Sequence, residues 1–149
     1  MVALALALLI AFPNTKATLE LPDGWKQLER PTLVAAYESP GGALLAVTRT
    51  QVPNSDAWRT KKRDTYVAEV ARGALASAKG AKETARKLGD ANGVPTLDLE
   101  LRRPDGSIIV LRYLLFRTYA LALAIELPKG TDVSRAHAIA RSFAPPKPE

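Results

Sequence analysis

Residues 92–102 read Asn-Gly-Val-Pro-Thr-Leu-Asp-Leu-Glu-Leu-Arg, and they constrain the architecture more tightly than any other segment. Leu97, Leu99 and Leu101 alternate with Asp98, Glu100 and Arg102, the period of two of a strand with one apolar and one wet face. Asn92-Gly93 is the dipeptide that best tolerates positive φ at both centres of a tight hairpin, so a strand should precede it as well as follow it. That preceding strand, Lys82 to Leu88, is polar and suits a sheet edge, with Gly89 to Gly93 as the turn. Downstream, Pro104-Asp105-Gly106 is a second turn. It leads into Ile108 to Thr118, an apolar strand interrupted by Arg112. Tyr119 to Leu127 then sets bulky Tyr119, Leu121, Leu123, Ile125 and Leu127 against Ala120, Ala122 and Ala124. A row of alanines leaves room for a close neighbour such as a helix. Strands joined by turns this tight run antiparallel.

Upstream the period changes. Tyr66, Val67, Val70, Ala71, Ala74 and Ala78 form a helical stripe between Asp64 and Lys79, with Gly80 as its stop. Gly73 inside it costs up to ~1 kcal/mol against Ala, and such a glycine often permits close packing on a sheet. Ahead of the helix, Leu19 to Leu21, Thr32 to Tyr37 and Ala43 to Val52 read as a meander of strands. Pro22-Asp23-Gly24, Ser39-Pro40-Gly41-Gly42 and Pro53-Asn54-Ser55 punctuate it. At the far end Pro128-Lys129-Gly130 stops the last strand. Thr131 or Asp132 can cap a second helix whose stripe is Val133, Ala136, Ala140 and Phe143. The expected order is βββ-α-ββββ-α. This is an α+β domain, an antiparallel sheet of about six to seven strands covered by two helices.

A chain of 149 residues is one domain's worth, and 47% hydrophobic residues with 24% charged exclude wholesale disorder. The absence of cysteine removes disulfides, thiolate chemistry, Cys-ligated zinc and Cys acylation. A single histidine removes multi-histidine metal sites and makes hydrolytic triads hard to assemble. Val2 to Phe12 is an unbroken apolar run closed by Pro13. As a helix it reaches only about 16 Å, half a bilayer core, so it is not a spanning segment. It suits the core of a secretory signal occupying residues 1–17, with cleavage after Ala17, although no Lys or Arg precedes it. A buried first strand or helix and a peripheral anchor are the competing readings, and the immediate Pro, Asn and Thr fit a buried element poorly. The domain then spans 18–144. Residues 145–149, Pro-Pro-Lys-Pro-Glu, form a frayed tail.

Leu21-Pro22-Asp23-Gly24-Trp25-Lys26 at the start, Tyr37-Glu38-Ser39-Pro40, Asn92-Gly93-Val94-Pro95 and the closing Ala140-Arg141-Ser142-Phe143 give a layout that resembles the PsbP-like and DcrB-like domains. The likeness covers roughly Leu19 to Ala144. It implies an α/β/α sandwich with an antiparallel sheet. It also implies a mostly non-enzymatic role: accessory subunit of a photosynthetic complex, envelope protein, or chaperone of apolar segments in secreted effectors. The metal-binding carboxylates and histidines of the photosynthetic relatives have no counterpart here, so metal binding is not implied.

Side chains that could carry chemistry each have a plainer reading. His137 lies about 40° from Val133 around its helix, at the rim of the buried stripe, and lacks an orienting carboxylate and nucleophile nearby in sequence. Asp98 and Glu100 stand about 6.6 Å apart along one strand face, a spacing glycosidase carboxylates use. More often such a pair belongs to a solvated face, here continued by Arg102. No segment has calcium-loop spacing. Trp25, after a glycine turn, reads as packing beneath the sheet. Arg112 must reach solvent or a carboxylate. Counting from the Asp105-Gly106 turn sets Glu100 near Ile109 to Leu111, within diagonal reach.

The net charge of +6 and pI of about 9.8 have their densest expression in Arg59, Lys61, Lys62 and Arg63 beside Trp58. Those five residues are the candidate partner-binding set. They sit in a loop or first helical turn, where positive charge opposes the helix dipole. A polyanion contact competes there with a simple solvated loop, and four charges do not make a specific nucleic-acid fold. Together these readings point to an exported, non-enzymatic accessory or binding module. It would have no cofactor, no catalytic residue and no transmembrane helix, and would dock to an envelope-associated assembly or an anionic surface. The alternative is a chaperone that binds apolar segments of a secreted partner.

Overall fold

The computed structural model describes residues 7–12, 15–51 and 63–147. The elements in chain order are β1 (Ala7–Ala11), β2 (Thr18–Pro22), β3 (Lys26–Gln27), β4 (Ala35–Glu38), β5 (Leu44–Gln51), α1 (Arg63–Ser77), β6 (Lys82–Ala91), β7 (Val94–Arg102), β8 (Ile108–Leu115), β9 (Tyr119–Leu127) and α2 (Val133–Ser142). Seven strands form one antiparallel sheet in the order β3-β4-β5-β9-β8-β7-β6, and β1 with β2 makes a separate two-stranded ribbon.

The hairpins follow from local chemistry. Asn92 at φ 52° and Gly93 at φ 88° make the turn between β6 and β7. The Gly93 N–H donates to Asp90 Oδ1 at 2.9 Å. The strand runs on through Gly89 and Asp90 to Ala91, so the turn is shorter than the run of small and polar residues suggests. Between β7 and β8, Arg103 N–H donates to Ser107 O at 2.9 Å. That closure pairs Arg102 with Ile108 and Glu100 with Val110, within the expected span.

The pleat sorts side chains to two covered faces. On one face Leu97, Leu99, Leu101, Ile109 and Leu111 are buried with Val67, Ala71, Ala74 and Ala78 of α1. On the other, Leu45, Val47, Val110, Leu121, Leu123 and Ile125 pack with Ala136, Ile139, Ala140 and Phe143 of α2. The helices therefore lie on opposite faces, an α/β/α sandwich. Burial on both faces explains why β8 is apolar almost throughout.

The first segments depart from the expected meander. β2 stays out of the main sheet: it pairs with β1 on one side, and on the other Thr18 exchanges backbone hydrogen bonds with Ala144 at 2.9 and 3.1 Å. The physical reason is burial, since Leu19 and Leu21 are consumed by the α2 side of the core. The meander is instead β3-β4-β5. The apolar N-terminal run contributes a strand here, and Phe12 is buried edge-to-face on Phe143 with centroids 5.9 Å apart. Leu8 and Leu9, at 62% and 70% exposure, stand in solvent. At the C-terminal end Asn92 Nδ2 donates to Pro145 O at 2.7 Å. Trp25 is half-buried against the α2-side core.

Candidate functional site

Polar side chains gather where α2 passes over the β6–β7–β8 end of the sheet. The apolar residues of this face give way there to Asp98 and Glu100 on β7 and Arg112 on β8. A cleft of about 330 Å³ results, lined by Lys87, Asp98, Glu100, Arg112, His137 and Arg141. Asp98 and Glu100 point the same way because they are two residues apart on a strand. Arg112 is the direct cross-strand partner of Asp98. His137 and Arg141 are four apart on α2 and so face the cleft together.

Glu100 is held at both oxygens. His137 Nε2 lies 2.8 Å from Oε1, and Thr84 Oγ1 donates to Oε2 at 2.6 Å. The Thr84 hydrogen bond, then the His137 one, hold this carboxyl below its ordinary range despite partial burial. Asp98 is pushed the other way. Burial raises it more than Arg112, Lys87, His137 and Arg141 lower it. Arg112 is 7% exposed, and its Nη1 is 3.6 Å from Asp98 Oδ1, beyond hydrogen-bond distance. Its Nε is buried with no hydrogen-bond partner among the described residues. Burial lowers the guanidinium's pKa, with Asp98 opposing and Arg141 adding repulsion.

Two sequence readings are corrected here. The Asp98–Glu100 face is not simply solvated, because α2 covers it. Arg112 answers to Asp98 straight across the ladder, not to Glu100 on the diagonal. Glu100 is taken by His137, 37 residues away in sequence, a pairing that only tertiary packing creates.

Chemically, the order is hydroxyl, carboxylate, imidazole. A hydroxyl–imidazole–carboxylate triad needs the imidazole next to the hydroxyl, with the carboxylate behind it. Here Glu100 stands between them. Two carboxyls shifted in opposite directions can also act as an acid–base pair, but both oxygens of Glu100 are engaged by protein donors. Among the described residues, no three His, Asp or Glu side chains converge to hold a metal ion.

A second cleft, about 410 Å³ and mostly apolar, lies between α1 and the sheet. Val70, Ala74, Leu111, Ala120, Ala122 and Ala124 line it. The alanine row therefore faces α1 as expected but leaves a gap, not close contact. Gly73 does not serve close packing either: a Cβ there would meet none of the described residues within 4 Å. Of the candidate partner-binding set, Trp58, Arg59, Lys61 and Lys62 lie outside the described residues, and Arg63 is the first residue of α1. No helix among the described residues is long and apolar enough to cross a membrane.

No family model matches the chain, and no curated protein matches it in sequence. Solved structures do match in shape. The cyanobacterial PsbP, CyanoP, of Synechocystis sp. PCC 6803 superposes with a TM-score of 0.70 at 13% identity, covering 97% of this chain and 95% of its own. PA94 of Pseudomonas aeruginosa, a protein of unknown function described as a putative regulator, superposes with a TM-score of 0.53 at 18% identity. That match covers 96% of this chain and 99% of the other. The fold is PsbP-like.

Proposed function

We propose that the chain is a non-enzymatic accessory or binding module, exported, which docks to a larger envelope-associated assembly. The observation that carries this reading is the arrangement in the polar cleft. Thr84, Glu100 and His137 are bonded in an order that lacks the hydroxyl–imidazole pair of a catalytic triad, so this trio holds α2 to the sheet. The PsbP-like fold supports the same role class. Export rests on the apolar run ahead of Ala17, with cleavage there leaving a domain of residues 18–144. The partner is a protein or an anionic surface, engaged through Trp58, Arg59, Lys61, Lys62 and Arg63, whose charges attract acidic groups and whose indole adds contact area. No cofactor enters, and a specific nucleic acid is not the partner.

Two measurements test this. N-terminal sequencing of the protein from its own cells should begin at Thr18; an intact Met1 counts against export. In cross-linking to the native assembly, changing Arg59, Lys61, Lys62 and Arg63 to Ser should remove the cross-linked species, and its persistence would eliminate this surface. The apolar cleft beneath α1 favours a second reading, a chaperone for apolar segments. An apolar peptide protecting Tyr66 and Tyr113 from solvent quenchers would support it, and unchanged quenching would discard it.

A further inference from the structure

We infer that the cleft beneath α2 is a binding site for a small oxyanion, the carboxylate or phosphate group of a soluble ligand, with Arg112 as its anchor. This stands apart from docking through the basic segment and does not depend on it. Arg112 lines the cleft, is more than nine-tenths buried, and has no hydrogen-bond partner at Nε among the described residues. A buried donor left unmatched is costly and uncommon in a native fold. Asp98 does not satisfy it: its Oδ1 approaches Nη1 at 3.6 Å, beyond hydrogen-bond distance. A guanidinium offers parallel N–H pairs that carboxylates and phosphates take bidentately.

Charge in the cleft points the same way. Arg86, Lys87, Arg112 and Arg141 set four cations around the cleft against the carboxylates Asp90, Asp98 and Glu100, and Glu100 is already engaged by His137 and Thr84. Ala85, Gly89 and Ala140 supply walls without bulk, which leaves the space open.

The test is a titration of the full ¹⁵N-labelled chain with succinate and, separately, inorganic phosphate, at constant ionic strength against sodium chloride. The expected result is a saturable shift of the Arg112 Nε–H resonance with at least one probe, at a Kd of ~1 mM or tighter, and a raised melting temperature. The tighter probe identifies the ligand's charged group. Arg112→Met should weaken binding at least about tenfold. If that variant does not fold, Arg141→Met and Lys87→Met, both at exposed positions on the rim, should each weaken it by about threefold or more. Either of two results would overturn the proposal: both probes acting no differently from chloride, or full affinity retained in these variants.

Discussion

Arg112→Met and Asp98→Asn should each leave the chain about as stable as before, or more so, because burial of this pair outweighs its attraction. At 3.6 Å, with an effective dielectric of ~20, the attraction between Arg112 and Asp98 is about 4–5 kcal/mol. Against it stands a desolvation cost of several kcal/mol for a guanidinium only 7% exposed. The unmatched Nε adds a further ~1–3 kcal/mol of penalty. The direction of the Asp98 shift shows that burial outweighs attraction. Methionine replaces the buried stem with apolar atoms, and Asp98, 29% exposed, can turn to water. The net change should fall within about 1 kcal/mol of zero. Asp98→Asn removes a carboxylate whose ionised form burial disfavours more than Arg112 favours it, so this neutral isostere should likewise fall within about 1 kcal/mol of zero. The double variant should be no less stable than either single one. Urea unfolding at pH 7 on the three variants reads the cycle, with 1 kcal/mol corresponding to roughly 2–4 °C in a parallel thermal melt. A loss above ~3 kcal/mol for either single variant would refute the reasoning, because the pair would then be well matched and stabilising.

Three further outcomes follow from the packing and the charges. Gly73→Ala should raise stability by about 0.5–1 kcal/mol in the same unfolding assay, since it lies in the α1 interior and an added Cβ meets none of the described residues within 4 Å. Phe143→Ala should cost about 3–5 kcal/mol, because the ring is fully buried in the core shared by β2, α2 and the sheet. Glu100 is held below its ordinary 4.5 in the folded state. Its contribution is therefore complete above that value and is lost as pH falls through the lower folded value. Melting temperature against pH should accordingly fall less steeply on the acid side in Glu100→Gln than in the native chain. Asp98, raised above its ordinary 3.8, has the opposite sign: its contribution is present below that value and is lost as pH rises through the folded one.

Much of the sheet was legible because its signals are local. The Leu97–Leu99–Leu101 alternation, the Asn92-Gly93 turn and the helical stripe from Val67 to Ala78 each need only near neighbours to read. The register across the Asp105-Gly106 turn was equally local. The same register that sets Glu100 opposite Val110 also sets Asp98 opposite Arg112, so the correct partner could have been found by counting further along the ladder. The His137–Glu100 contact could not, because it depends on how α2 lies across β7. The placement of β2 was hidden for the same reason: Leu19-Glu20-Leu21 reads as a strand whether it joins the main sheet or a ribbon, and only packing against Ile139 and Phe143 separates the two. The strand at Ala7–Ala11 was masked by composition, since a uniform apolar run carries no period to distinguish a strand from a signal segment.

The most direct measurement of the accessory-module reading is native gel analysis of cross-linked cells carrying either the unaltered chain, His137→Ala, or the Arg59/Lys61/Lys62/Arg63→Ser variant. The unaltered chain and His137→Ala should both migrate within a species much larger than the single chain, while the charge-depleted variant drops to the free chain. Migration of the unaltered protein as a free single chain, or turnover of a small molecule that His137→Ala abolishes, would contradict it.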